Sequence, residues 1–396
     1  MEPTQDRSLL SPGMAAVLLA QFLSALADNA ILIAAIAIVK AQGKGSLVPL
    51  LQESFVVPFV LLAPFVGQFA DRFPKGRVML IGNLLKLSGA LGMALGLDPL
   101  FAYNLIGVGA TLYSPAKYGI LAQMFGAEKL VRANGMMEGS TIVAILLGVL
   151  LGGWLSDHSL NRAFLGVILC YGIAAVANLL IPRLPPENPD VVFHPMTLIK
   201  QFASSIRLLF GNPDARFSLI GTSVFWGSGT TLRLMLFAWV PVALHITDNQ
   251  TPAYLMGAVS IGIVFGALIA GISITLANAN RALIGGLLLG PVILLLSLIS
   301  DLRLAAVAML LVGICGGSFV VPLNALLQER GHRSIGAGNA LAVQNFVENI
   351  AMLLFVGAYS LAASAGLAID ASVEGFGFLL LASMGALAWL RIGRRE

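Results

Sequence analysis

Charge is what this 396-residue chain has least of. Asp, Glu, Lys and Arg make up 11% of it against 58% hydrophobic residues, and the mean hydropathy is +0.91. A water-soluble domain of this length needs far more charged surface, so that class is excluded. Cysteine is scarce too. The two present, Cys170 and Cys315, fall inside apolar runs, so neither a disulfide framework nor a thiolate metal set can be built. The four histidines, His158, His194, His245 and His332, map to loops or membrane edges, and none is followed five residues later by Asp, as an H-x4-D acyltransferase motif requires. Walker A sequence, G-x-S-x-G elbow and metal-ligand cluster are all missing. The chain is therefore read as no enzyme and no ATP-driven pump, with no resident cofactor. If the chain does vectorial work, that work must draw on an ion gradient, Na⁺ or H⁺, or on a solute's own gradient.

What is there is a series of apolar runs, each long enough to cross a bilayer as a helix at about 1.5 Å per residue. They number about twelve. The first half gives Met14–Val39, Leu47–Ala70, Val78–Leu97, Phe101–Phe125, Gly135–Ser156 and Ala163–Pro182. The second gives Phe217–Pro241, Pro252–Leu276, Ala282–Ile299, Leu304–Leu327, Gly338–Ala365 and Gly375–Arg391. The alternating pattern of an outer-membrane barrel is missing, and backbone polar groups in lipid must be satisfied within a segment, so an all-α membrane protein is expected.

Lys and Arg placement fixes the expected orientation. With the N-terminus inside, Arg7, Arg72, Lys75, Arg77, Lys129, Arg132, Arg183, Lys200, Arg207, Arg216, Arg281, Arg330, Arg333, Arg391, Arg394 and Arg395 lie on the cytoplasmic side. Only Lys40, Lys44, Arg162 and Arg303 lie outside. That asymmetry puts both termini in the cytoplasm. The pI near 9.2 then reflects topology and not a nucleic-acid stripe, because the basic residues are scattered over many inner segments. Met1–Ala27 is not read as a cleaved signal: its head carries Glu2 and Asp6 against Arg7, and cleavage would discard the first span.

One segment breaks the rhythm. Arg183–Arg216 is polar and carries Pro185, Pro186, Pro189, Pro195 and Pro213. It divides the chain into a six-helix bundle over 1–182, a linker over 183–216 and a second six-helix bundle over 217–396. Within the linker, Leu198, Phe202, Ile206 and Leu209 recur at helical spacing, which fits either an amphipathic helix on the inner leaflet or a plain linker. The halves echo each other. Gly109-x5-Pro115 in the fourth span matches Gly316-x5-Pro322 in the tenth, and Ala133-Asn134-Gly135 matches Gly338-Asn339-Ala340 at the next spans. Matching breaks in corresponding helices of two halves point to a transporter site. A parallel repeat of six spans is the arrangement of the major facilitator fold.

Three acids and three bases lie inside otherwise apolar spans: Asp28, Glu138 and Glu348 against Lys86, Lys117 and Arg233. Placing a charge at mid-bilayer costs from about 2.5 to more than 10 kcal/mol, so they mark a polar pathway. Asp28 shares a helix face with Gln21 and Ser24 and reads as a ligand for a coupling ion or a substrate cation, or else as half of a structural salt bridge. Arg233 stays charged at any depth and forks towards phosphate or carboxylate. It either clamps an anionic head group or neutralises Asp28, and the two roles can alternate between states. Lys117 either faces the cavity or snorkels to the inner head groups, while Lys86 is expected to snorkel. Glu138 is expected to pair with Lys86 or Lys117. Glu348, with Asn345 and Asn349 beside it, makes a run too polar for lipid. After the second span, Gly67-Gln68-Phe69-Ala70-Asp71-Arg72-Phe73-Pro74-Lys75-Gly76-Arg77 resembles the major facilitator signature G-x3-D-R-x-G-R-[RK], with two extra residues before the last glycine. The resemblance gives Asp71, Arg72 and Arg77 a gating role: the Asp caps and salt-bridges neighbouring helix ends.

Longer runs sharpen this. Ala20-Gln-Phe-Leu-Ser-Ala-Leu-Ala-Asp-Asn-Ala30, Tyr113-Ser-Pro-Ala-Lys-Tyr-Gly-Ile-Leu121, Phe217-Ser-Leu-Ile-Gly-Thr-Ser-Val-Phe-Trp-Gly227 with Arg233, Val321-Pro-Leu-Asn-Ala-Leu-Leu-Gln-Glu-Arg-Gly331 and Gly336-Ala-Gly-Asn-Ala340 resemble the bacterial lysophospholipid transporter family, a branch of the major facilitators. The resemblance covers nearly the whole chain. It implies a flippase of the bacterial inner membrane that moves lysophospholipids, chiefly lysophosphatidylethanolamine, from the outer to the inner leaflet. Reacylation by a cytoplasmic-side acyltransferase and acyl-carrier-protein synthetase follows. Asp28, Arg233, Lys117, Glu348, Gln21 and Tyr113 are then the candidate substrate-binding residues, and Asp28, Glu138, Asp71, Arg72 and Arg77 the candidate coupling and gating ones. The competing readings are an ion-coupled exporter of small solutes or drugs on the same fold, and a non-transporting scaffold for the acyltransferase.

Overall fold

A computed structural model describes residues 8–44, 47–190, 194–246 and 250–392. Arg7, Arg394 and Arg395, counted above in the inner set, lie outside the described residues. The described residues form fourteen α-helices, a 3₁₀ turn over Leu276–Arg281 and no strand. In chain order these are α1 (Pro12–Ala41), α2 (Val48–Leu61), α3 (Ala63–Arg72), α4 (Lys75–Ala94), α5 (Pro99–Met124), α6 (Ala127–His158), α7 (Leu160–Leu179), α8 (Pro195–Gly211), α9 (Pro213–Ala243), α10 (Gln250–Ser273), α11 (Ala282–Leu296), α12 (Leu302–His332), α13 (Ala337–Ser364) and α14 (Ile369–Ile392). Every expected span falls on a helix, the second on two.

Eight of these helices, or nine with α2 and α3 taken as one bent span, are long and apolar enough to cross a membrane. The helices α4, α5 and α9 do not meet that measure; they are the ones that carry Lys86, Lys117 and Arg233. Local chemistry starts several helices. Ser11, Asp98 and Asn212 each accept hydrogen bonds from first-turn amides, to Met14 at 3.4 Å, Leu100 at 2.9 Å and Asp214 at 3.0 Å. Proline follows at the first helical positions of α1, α5 and α9, where no amide is lost.

The second span was expected to be continuous and is not. It bends by 63° between α2 and α3, where Pro64 opens the new helix and removes an amide from the old ladder. The breaks expected at Pro115 and Pro322 do not form: both prolines sit inside continuous helices, α5 and α12. Their glycine partners serve packing instead. A Cβ on Gly109 would stand 2.6 Å from the Gly82 carbonyl oxygen of α4, and one on Gly316 would stand 2.5 Å from the Phe225 ring of α9. Small residues let these helix backbones and rings approach closely, which dispersion rewards in lipid.

The chain forms two compact units. One comprises Met1–Gly126, Ser140–Leu209 and Gln328–Phe346; the other comprises Ala127–Gly139, Phe210–Leu327 and Val347–Glu396. In the first, α4 packs on α5 and α7, and α1 on α7. Its core includes Ala27, Ile31, Ala34, Met93, Ile106 and Tyr171, all buried. In the second, α14 packs on α11 and α9.

The linker contains a helix, α8 (Pro195–Gly211), part of whose apolar stripe is buried while Met196, Ile199 and Leu208 stay exposed. Leu198, Phe202 and Leu209 are buried in the first unit, and the Phe202 ring meets Phe346 edge-on at 5.5 Å. The fourth buried position is Ser205, not Ile206. Its hydroxyl accepts from Asn339 Nδ2 at 2.7 Å.

Candidate functional site

Helix α1 brings Asp28 into a polar cluster within the first unit. Asp28 Oδ2 lies 2.7 Å from Lys86 Nζ on α4, and Oδ1 accepts from the Tyr171 hydroxyl of α7 at 2.7 Å. Lys86 also donates to Ser24 Oγ at 3.0 Å, and Ser24 in turn donates to Asn83 Oδ1 at 2.7 Å. The ammonium stands 4.9 Å from the centre of the Tyr113 ring. Lys86 therefore does not snorkel. A stem starting about three turns into α4 puts its ammonium beside a carboxylate, and an ion pair with a hydroxyl and an aromatic face outweighs a reach towards water. The two partners are buried unequally: the side chain of Lys86 is 2% exposed and that of Asp28 is 19% exposed.

The expected Asp28 face divides. Ser24 and Asp28 turn to α4 and α7, while Gln21 Nε2 donates to Thr141 on α6 at 2.8 Å. Tyr113 is buried, and its hydroxyl makes no hydrogen bond among the described residues; nor does Asn83 Nδ2. Lys117 on α5 is half-buried, with its ammonium 4.6 Å from the ring centre of Tyr118.

A second charged cluster in the first unit lies where the signature loop was expected to act. Asp71, at the end of α3, is fully buried. Its oxygens accept the amides of Gly338 and Asn339, both at 2.8 Å, in the first turn of α13. Glu187, from the linker, takes the Ala337 amide at 2.7 Å. Three of the four amides that a helix start leaves without intrahelical partners are thus held by two carboxylates, which the positive end of the helix dipole also attracts. Lys75 Nζ joins the acids, 2.7 Å from Asp71 and 3.6 Å from Glu187. His332 Nδ1 stands 2.9 Å from Glu187 on its other side. Burial pushes the Glu187 carboxyl up, but the His332 hydrogen bond, the Lys75 and His332 charges and the Ala337 amide outweigh it and hold it low, at about 2. The close fit requires glycine: a Cβ on Gly338 would stand 2.6 Å from Asp71 Oδ1, and Gly336 has φ +93°. Arg72 is half-buried, its guanidinium 5.8 Å from the Phe73 ring centre, and Arg77 is exposed.

In the second unit, Arg233 on α9 is exposed and makes no hydrogen bond or ion pair among the described residues. Asp28, by contrast, has both oxygens engaged by Lys86 and Tyr171, so neutralisation of Asp28 falls to Lys86. Glu138 is buried on α6 and accepts from Asn324 Nδ2 at 3.2 Å. Its expected partner Lys86 is committed to Asp28 and Ser24. Glu348 is buried on α13. Among the described residues no group of three or more His, Cys, Asp or Glu is placed to hold a metal ion.

Sequence reasoning missed Tyr171, Glu187 and His332 as members of these clusters. Tyr171 lies in an apolar run without a periodic signal. Glu187 and His332 look like ordinary loop residues until the fold brings them to the start of α13.

The chain matches the model of the Major Facilitator Superfamily over residues 17–356. It is 51% identical over 386 residues to the lysophospholipid transporter LplT of Escherichia coli O1:K1 / APEC, covering 97% of each chain, and equally so to that of Shigella boydii serotype 4. Among solved structures it is similar to a bacterial homologue of the iron transporter ferroportin (TM-score 0.74, 15% identity, 97% of this chain and 99% of that one). It is also similar to the E. coli fucose:proton symporter FucP (TM-score 0.73, 14% identity, with the same coverage). Those two likenesses speak for the fold alone. This chain belongs to the Major Facilitator Superfamily and, within it, to the family of bacterial lysophospholipid transporters.

Proposed function

We propose that the protein is a carrier and not an enzyme, moving lysophospholipids, chiefly lysophosphatidylethanolamine, from the outer to the inner leaflet of a bacterial inner membrane. Both termini are cytoplasmic in this reading, in line with the Lys and Arg asymmetry. The product passes to a cytoplasmic-side acyltransferase and acyl-carrier-protein synthetase. The observation that carries the reading is Arg233. A permanent cation is held open on α9, with no carboxylate among the described residues taking it. A guanidinium in that position fits the phosphate common to all lysophospholipids, which it can meet bidentately.

Asp28 is the counterpart for a head-group ammonium. Its carboxylate is the partly exposed member of its cluster, and it also suits Na⁺ or H⁺ as coupling ion. Lys117, Tyr113, Gln21 and Glu348 are further substrate-binding residues in this reading, and Glu138 takes part in coupling. Asp71, with Arg72 and Arg77 beside it, gates by holding or releasing the start of α13. The apolar walls accept the single acyl chain.

The test is leaflet-to-leaflet movement of labelled lysophosphatidylethanolamine in liposomes holding the purified protein. Movement by the wild type and none by Arg233→Ala supports the reading. Equal movement by both contradicts it, and export of cationic dyes with no lipid movement in the wild type points to a solute exporter.

A further inference from the structure

We infer that Lys86 is a built-in competitor for the head-group ammonium. It occupies the ammonium site on Asp28 in the empty carrier, so head groups with a primary ammonium must displace it and others need not. The inference rests on the reading of Asp28 as the ammonium's partner, and it adds the residue that sets head-group preference.

The surroundings of the Lys86 ammonium are those of a receptor for R–NH₃⁺. One N–H is directed to a carboxylate at 2.7 Å and one to a hydroxyl at 3.0 Å, while an aromatic face lies at 4.9 Å. A phosphoethanolamine head group carries the same ammonium and fits the same three partners. The unequal burial supplies a route. The Lys86 side chain is 2% exposed, whereas the Asp28 side chain is 19% exposed. A second ammonium can therefore reach Asp28 before the first has left. The four-carbon stem of Lys86 lets its ammonium withdraw without moving α4. Two buried polar atoms beside it, the Tyr113 hydroxyl and Asn83 Nδ2, make no hydrogen bond among the described residues.

A second consequence concerns cations. With Lys86 on Asp28 the carboxylate is already neutralised, so a coupling Na⁺ or H⁺ must displace the same ammonium to reach it. A purely structural pair would share the short Asp28–Lys86 contact, but it would not discriminate between head groups.

The experiment compares half-saturation concentrations for two lysolipids of one acyl chain, lysophosphatidylethanolamine and lysophosphatidylglycerol, in proteoliposomes. Lys86→Met removes the competitor, so the preference for the ethanolamine lipid is expected to rise about tenfold, the effect of losing one modest ionic competitor. Lys86→Arg grips Asp28 through two N–H groups, so the preference is expected to fall below that of the wild type. Opposite shifts are the signature of competition. An unshifted ratio in both variants, or shifts of the same sign, overturns the inference. If Lys86→Met is not recovered folded, Lys86→Arg decides alone: a lowered preference supports competition, and an unchanged or raised one ends it. Wild-type vesicles that move neither lipid overturn the transport reading and this inference together. Wild-type movement with unshifted ratios overturns this inference alone.

Discussion

Two deep charges on the first helices of the two halves have met opposite fates. Asp28 on α1 is paired, with Lys86 on one oxygen and Tyr171 on the other. Arg233 on α9 is exposed and has no ion pair among the described residues. The cost of an intramembrane charge is met in one case by protein and in the other is left for something else to meet. A closed pair contributes to the fold as well as to any binding; an open cation contributes only when a ligand arrives. Stability and transport should therefore separate at the two positions.

The largest effect expected is at the closed pair. Asp28→Ala leaves Lys86 buried without its counter-ion, at a cost of roughly 3–5 kcal/mol. Thermal unfolding in detergent should show the loss, and adding Lys86→Met should recover most of it. A double variant no more stable than the single one would mean that the pair is not what holds Asp28.

Arg233→Ala should do the reverse. Unfolding should stay within about 0.5 kcal/mol of the wild type, as for other exposed positions away from special features. Movement of lysolipid should fall by about a hundredfold, the equivalent of roughly 2.7 kcal/mol. A large stability loss here would show that the guanidinium has a structural partner after all.

A smaller separation is expected between two other matched places, the starts of α13 and α6. In the first unit two buried carboxylates hold three amides of α13. In the second unit the corresponding stretch of α6 carries contacts of another kind: Arg132 Nε donates to the Gly271 carbonyl at 3.0 Å in an exposed position, and Asn134 Nδ2 donates to the Leu130 carbonyl at 3.0 Å. Gly338→Ala drives a methyl against Asp71 and should cost about 1–3 kcal/mol, the range for overpacking a tight site. Arg132→Ala should cost less than about 1 kcal/mol. Comparison of their unfolding temperatures checks the order.

The last effect is one of pH. The carboxyl of Glu187 is held at about 2, against an ordinary value of 4.5. A depressed carboxyl stabilises the fold above its unfolded value, and that contribution is lost as pH falls from about 4.5 towards about 2. His332, Lys75 and Asp71 also face this group, so the quantity to measure is the difference between the wild type and Glu187→Gln. That difference should shrink as the medium is acidified through this window. A constant difference would mean that the Glu187 charge contributes nothing to the latch.

The sequence made the spans, the charges inside them and the acid of the signature loop legible, because each is a local property: an apolar run, a charge inside it, an order of Gly, Asp and Arg. It did not show which charges meet. Lys86 looked free to snorkel because its depth is readable but its neighbours are not; Asp28 lies 58 residues away. The acid on Asp71 was readable as a cap, but not that Glu187 shares the task, since a Pro-rich linker gives no periodic signal. The prolines misled in both directions. Pro115 and Pro322 carry a recognisable pattern yet leave their helices continuous, whereas Pro64, in a span read as unbroken, opens the 63° bend. A proline's effect depends on whether neighbouring helices hold the segment straight, which is a tertiary matter.

The most direct test of the account is a binding measurement. Dissociation constants would be compared for a lysophospholipid and for the monoacylglycerol of the same chain, which lacks the phosphate, on the wild type and on Arg233→Ala in detergent. The account predicts that the wild type prefers the phosphate-bearing lipid and that Arg233→Ala loses this preference while binding the monoacylglycerol as before. A preference that survives the substitution would contradict the assignment of the open cation to the head-group phosphate.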